Sequence, residues 1–214
     1  MTITRLCLIR HGETAWNAEK RLQGHTDIPL NSRGEAQALQ MAQAIKNTKL
    51  KFDVLYTSDL KRAFDTANAL VQLLDMEAKV DSALRERHFG ALQGFSIDEA
   101  PGLRPDIWQA HISRELDHEL EGGESIHQFA SRVQGALDAI VQQHQGKTIL
   151  LVSHGGTLDM MYRIASDQAL SAERVASVPN ASLNWITHNG EGWSVEQWAD
   201  TRHLEGRALE NVDL

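Results

Sequence analysis

The apolar positions of this chain fall into runs of two kinds. Short unbroken runs predict strands. Residues 3–10 contain Leu6-Cys7-Leu8-Ile9, and Val54-Leu55-Tyr56-Thr57 is β-branched and aromatic. Lys79-Val80-Asp81 is a shorter candidate. Thr148-Ile149-Leu150-Leu151-Val152 is the strongest, continuous and apolar as a parallel strand buried on both faces must be. Other stretches keep helical spacing. Ala36, Leu39, Ala42 and Ile45 follow Ser32-Arg33-Gly34-Glu35, which fits a capping box. Leu60, Ala63, Ala67, Leu70 and Leu74 form a second stripe, with Ser58 or Asp59 as cap. Ile126, Phe129, Val133, Leu137 and Ile140 form a third, between Ser125 and Gly146. Residues 14–20 read as a short helix, and another helix follows Ser153-His154-Gly155-Gly156. Residues 181–187 and 193–198 alternate about Asn189-Gly190, a hairpin pattern.

Between these elements, residues 84–95 match no period and read as loop and turn. Residues 96–124 are polar, acidic and partly helical, broken at Pro101 and Pro105. The order predicts an α/β fold: a three-layer α/β/α sandwich with a mainly parallel sheet of about six strands and helices on both faces. One domain over 1–214 is expected, with 96–124 as a helical excursion or lid and 205–214 as a loosely held tail.

Composition narrows the function. Formal charge is −8, which argues against a nucleic-acid or anionic-membrane surface but leaves room for a small anion in a local cationic pocket. The one cysteine, Cys7, lies in an apolar run and allows no intrachain disulfide. No apolar run is long enough to span a bilayer and no signal-peptide core follows the start, so a cytoplasmic location is expected. Oligomeric state is open, a homodimer being one option.

Three strand-to-helix junctions carry the chemistry. The first offers Arg10 and His11, the second Ser58 and then Arg62, the third Ser153, His154 and two glycines. Any one of them is as readily structural. Parallel strands, however, bring their carboxyl ends to one edge of the sheet, where helix N-termini add N–H donors and positive dipole ends. Two guanidiniums, two imidazoles and those N–H groups make an oxyanion clamp. Neither a Walker loop nor Gly-x-Gly-x-x-Gly is present. His118-Glu119 begins like a zincin helix but has Gly122 where the second histidine would stand, so no metal is assigned.

Leu8-Ile9-Arg10-His11-Gly12-Glu13-Thr14 with Trp16-Asn17 resembles the signature of the histidine phosphatase superfamily, which includes the cofactor-dependent phosphoglycerate mutases. The resemblance continues through Ser58-Asp59-Leu60-Lys61-Arg62-Ala63, Leu84-Arg85-Glu86-Arg87, Gly123-Glu124-Ser125, Val152-Ser153-His154-Gly155 and Thr201-Arg202-His203-Leu204. It implies His11 as a nucleophile that becomes a phosphohistidine. It implies Arg10, Arg62 and His154 as phosphoryl ligands and Glu86 as the proton donor. Asn17, Gly24, Arg85 and Gly155 fall to substrate binding. No cofactor is implied.

The same resemblance divides between mutase and phosphatase. Mutases of the family carry a longer, basic insertion after the proton donor. Here residues 96–124 hold two arginines (Arg104 and Arg114) and eight carboxylates. An acidic lid suits hydrolysis, with Arg85, Arg87 and His88 as the remaining argument for a second anion. Phe95, Ile107, Trp108 and Ile112 would give the excursion an apolar, pocket-facing side. That suits a larger or less charged leaving group, as in the broad-specificity and α-ribazole-phosphate members. The expected partner is thus a small phosphate ester. A phosphoglycerate mutase is the first alternative and a non-catalytic phospholigand-binding protein the second.

Overall fold

A computed structural model describes residues 2–206 and 208. Six strands form one sheet in the order β3-β2-β4-β1-β5-β6. They are β1 (Thr4–Arg10), β2 (Val54–Thr57), β3 (Ala78–Val80), β4 (Thr148–Ser153), β5 (Leu183–His188) and β6 (Trp193–Asp200). The four-strand half β3-β2-β4-β1 is parallel, and β5 and β6 add antiparallel to its β1 edge. The sheet is therefore mainly parallel, closed at one side by the hairpin expected around Asn189-Gly190.

Side chains alternate between the two faces, as the pleat requires. Leu6, Leu8, Tyr56, Ile149 and Leu151 pack on one layer, α6 (Ile126–Gln143) and α7 (Gly155–Ser166). Cys7, Ile9, Leu55, Leu150 and Val152 pack on the other, α2 (Ser32–Asn47) and α3 (Lys61–Leu74). This is the three-layer sandwich read from the sequence. The short helix α1 (Ala15–Ala18) lies directly after β1, closed by a capping box between Thr14 and Asn17.

Two local expectations are corrected. The cap of α2 is Asn31, whose side chain accepts from the Gly34 N–H at 2.8 Å; Ser32 is already the first helical residue. The buried face of that helix runs through Gly34, Gln37, Ala38, Met41, Ala42 and Ile45. Ala36 and Leu39 point outward, Leu39 with 63% of its surface exposed. Gly34 explains the offset: a Cβ there would overlap the Glu13 backbone, so the helix presses its glycine against the segment after β1. At α3 neither Ser58 nor Asp59 is the cap. The Asp27 carboxylate reaches in from the loop before α2 and accepts from the Lys61 N–H at 2.7 Å.

Residues 96–124 build a satellite core. Pro101 and Pro105 start helices rather than break them, α4 (Ala100–Leu103) and α5 (Pro105–Ser113), each using proline where its missing N–H costs nothing. Phe95, Ile107 and Trp108 pack against Leu22, Phe89, Leu92, Ala100 and Leu120 in a cluster of their own, and Ile112 is 44% exposed. The apolar side expected to face the pocket is thus used to seat the excursion on the body. Seven of its eight carboxylates face solvent, and the half-buried Glu124 is held by Arg132, so the acidic count says nothing about the pocket. Of the expected tail, residues 207 and 209–214 lie outside the described residues.

Candidate active site

Strands β2, β4 and β1 are adjacent, and their carboxyl ends align: Thr57 pairs with Val152, and Arg10 with Ser153. That register delivers Ser58, His154 and His11 to one point on the sheet edge. The His11 and His154 rings lie 5.2 Å apart, edge to face. Arg10, His11, Arg62 and His154 are all buried, Arg10 and His154 completely.

The chain holds His11 from several directions. Its N–H donates to the Ser153 carbonyl at 2.9 Å, and its carbonyl accepts from the Asn180 side chain at 3.0 Å. The Gly12 N–H donates to Thr66 Oγ1, which donates in turn to the Arg62 carbonyl. Gly12 is required here, since a Cβ would meet the Gly34 carbonyl. Ring atom Nδ1 lies 2.7 Å from the Gly12 carbonyl oxygen. A carbonyl only accepts, so Nδ1 carries the proton and Nε2 keeps its lone pair. Burial, then Arg62 and Arg10, hold His11 well below the ordinary imidazole value, so the ring stays neutral.

His154 is fixed differently. Its Nε2 lies 2.9 Å from Ser58 Oγ, an atom that already accepts from the Leu60 N–H. A Ser58 hydroxyl that donates its proton to Nε2 leaves Nδ1 protonated, an N–H donor. That buried Nδ1 has no hydrogen-bond partner among the described residues. Burial and then Arg62 keep this ring neutral as well. Arg62 is aimed by loop carbonyls: Nη2 donates to Gly24 at 2.7 Å and Nη1 to Thr26 at 3.0 Å. Gly24 has a φ of +52°, which lets that carbonyl turn toward the guanidinium. Arg10 donates Nη1 to the Val178 carbonyl at 2.7 Å.

Neutral donors complete the cluster. Asn17 Oδ1 caps α1, and its buried Nδ2 has no partner among the described residues. Gln23 is in the same state: its Oε1 accepts from Thr14 and its Nε2 is left over. Buried polar atoms without partners cost about 1–3 kcal/mol each. Concentrating them beside two guanidiniums is sensible only where an anion takes up their hydrogen bonds. Sequence reasoning missed Gln23 and Asn180. Gln23 stood next to Gly24 and was visible as a loop amide; Asn180 reaches His11 only through the fold.

Glu86 sits in the loop after the 3-10 turn Ser82–Leu84 and is 1% exposed. Its Oε1 accepts from the Arg87 N–H and its Oε2 from the Gly156 N–H at the start of α7, each at 2.9 Å. Arg132 on α6 staples the loop that carries it. This guanidinium donates to the carbonyls of Ala83, Arg85 and Glu86, while Glu124 holds its other side. Arg85 is brought close but turned aside: its guanidinium makes a two-pronged pair with Asp59 at 2.5 and 2.7 Å. Gly155 is the first residue of α7, directly after His154. The arrangement supplies a neutral imidazole lone pair, convergent cationic and neutral donors, and a carboxyl on the same helix terminus as one donor. Those are the parts of in-line phosphoryl transfer to nitrogen.

Comparison with known proteins agrees with this chemistry. The family described as "Histidine phosphatase superfamily (branch 1)" matches residues 6–201. The chain is 38% identical to Phosphoglycerate mutase-like protein 4 of Arabidopsis thaliana, over 94% of its own length and 86% of that protein's. It is 37% identical to the Metal-independent phosphoserine phosphatase of the same plant, over 94% and 84% of the two chains. Among solved structures, the phosphoserine phosphatase from Entamoeba histolytica, in complex with 3-phosphoglyceric acid, superposes with a TM-score of 0.84. Sequence identity there is 28%, with 94% of this chain and all of that one covered. The chain belongs to branch 1 of the histidine phosphatase superfamily.

Proposed function

We propose that this phosphatase hydrolyses a small phosphomonoester through a phosphohistidine at His11. The observation that carries the reading is the Nδ1 contact of His11 with the Gly12 carbonyl, which leaves the Nε2 lone pair for attack in a ring that burial, Arg62 and Arg10 keep neutral. The phosphoryl oxygens are bound by those guanidiniums, by His154 Nδ1–H and by the amide of Asn17. Nε2 attacks, the bond from phosphorus to the ester oxygen breaks, and Glu86 gives its proton to the departing oxygen. Glu86 then takes a proton from water, which attacks phosphorus and breaks the N–P bond. Inorganic phosphate and the original His11 are recovered.

The test is direct. Rapid quenching during turnover of a labelled phosphomonoester should trap an adduct that is labile in acid and stable in base, and His11→Ala should abolish both adduct and turnover. A His11→Ala enzyme that hydrolyses as fast as the parent overturns the mechanism. The competing mutase reading is supported by the cations near Glu86, Arg87 and Arg114. Incubation of 3-phosphoglycerate with catalytic 2,3-bisphosphoglycerate separates the two. Conversion to 2-phosphoglycerate faster than phosphate release would favour the mutase.

A further inference from the structure

The loop between α1 and α2 meets the site at consecutive residues. Its Gly24 and Thr26 carbonyls accept from Arg62, and its Asp27 caps the helix that carries Arg62. His25 lies between those two carbonyls in the chain, and its ring reaches a different segment. Ring atom Nε2 is 2.9 Å from the carbonyl oxygen of Glu86. A carbonyl only accepts, so Nε2 carries the proton and Nδ1 the lone pair. The backbone N–H of His25 donates to Gln93 Oε1 at 2.8 Å, which ties the loop a second time to the segment after Glu86. Gly24 leaves room for that tie, since a Cβ there would overlap the Gln93 side chain.

The Glu86 carbonyl accepts twice, from His25 and from Arg132 Nη2 at 3.1 Å. The two donors have different reach. Arg132 also takes the Ala83 and Arg85 carbonyls, so it holds the whole turn. Among the described residues, the His25 ring gives its hydrogen bond to Glu86 alone. The His88 ring packs edge-on against it, with centroids 4.5 Å apart, and limits its rotation. Burial, partly offset by the bond to Glu86, pulls His25 down to about 4. The ring is therefore neutral across the neutral pH range, with its proton kept on Nε2.

In the proposed reaction Arg62 grips a phosphoryl oxygen while Glu86 protonates the ester oxygen on the same phosphorus. Groups that act on neighbouring atoms must keep their separation to roughly 0.5 Å. The loop that aims Arg62 is the one whose side chain holds the backbone of Glu86. We infer that His25 is a positioning residue, which through the Glu86 carbonyl keeps the proton-donating carboxyl in register with the Arg62 clamp. The inference rests on the phosphatase reading of the site and adds a residue to it.

Substitutions that remove or keep the donor test it. Leucine has none, whereas glutamine carries an Nε2–H as many bonds from Cβ as the imidazole does. His25→Leu should lower kcat/KM for an alkyl phosphate by about 10-fold or more. For a nitrophenyl phosphate, whose leaving group departs without a proton donor, the loss should stay within about 2-fold. His25→Gln should recover most of the alkyl phosphate activity. Inhibition by inorganic phosphate should agree within about 2-fold among the three proteins, because Arg62 keeps its own carbonyls. The nitrophenyl ester, measured in the same preparation, corrects for any unfolded fraction. Three results each overturn the role: full alkyl phosphate activity in His25→Leu, equal losses on both esters, or a His25→Gln protein as slow as His25→Leu. Hydrolysis of neither ester by the wild-type protein would instead overturn the phosphatase reading, and this role with it.

Discussion

Nδ1 of His11 lies 2.7 Å from the carbonyl oxygen of Gly12, the next residue in the chain. One backbone acceptor thereby fixes the tautomer of the reactive ring, and the surrounding burial and guanidiniums keep it unprotonated. The rate of phosphoenzyme formation, corrected for ionisation of the substrate, should therefore hold level as pH falls from 7.5 to 5.5. An ordinary imidazole would lose most of its nucleophile over that range. His11→Ala should lower the rate by at least about 10³-fold. A wild-type rate that halves near pH 6.5 would contradict the lowered value.

The same burial makes stability depend on pH. Unfolded histidines take up protons near 6.5, whereas folded His11 and His154 stay neutral well below it. In that interval the unfolded chain binds more protons, so stability rises with pH and is lost as pH falls through 6.5. Each ring contributes a slope of up to about 1.4 kcal/mol per pH unit. Urea midpoints measured from pH 7.5 to 5 should fall. A midpoint that stays constant or rises on acidification would be the contrary result.

Asn31 and Ser32 offer a simple contrast at the start of α2. Asn31 accepts from the Gly34 N–H and also donates to Glu13 at 2.9 Å. Asn31→Ala should cost about 1 kcal/mol or more in chemical denaturation, and Ser32→Ala close to nothing. Equal costs would mean that the cap is misassigned.

Arg132 is a positioning residue for Glu86, which it reaches only through backbone carbonyls. Arg132→Met should slow hydrolysis of an alkyl phosphate by roughly 10-fold or more. A nitrophenyl phosphate should slow much less, because its leaving group departs without a proton donor. Parallel losses on both esters would indicate a general structural role instead.

Much of this was legible in the sequence. The apolar runs at Leu6–Ile9 and Ile149–Val152 identified buried parallel strands, and the groups at their ends, His11 and His154, meet in space. What local pattern could not supply were contacts between distant segments. Asp27 caps α3 from across a loop, and Asn180 reaches back to the His11 carbonyl. The α2 stripe shifted because Gly34 packs on the Glu13 backbone, a tertiary contact that no helical period encodes. Charge counting failed at 96–124 for a related reason. Composition sums every carboxylate, while only the side chains turned inward set the field of the cavity.

His154 is the N-cap of α7, and the Gly156 N–H of the same helix terminus grips Glu86. Under the proposed mechanism, a phosphoryl ligand therefore caps the helix to which the proton carrier is hydrogen-bonded. That bond would hold the Glu86 carboxyl in register with His154 through both displacements of the proposed reaction. On that mechanism the intermediate would meet water in the geometry in which it was made, and both half-reactions would run without rearranging the site in between.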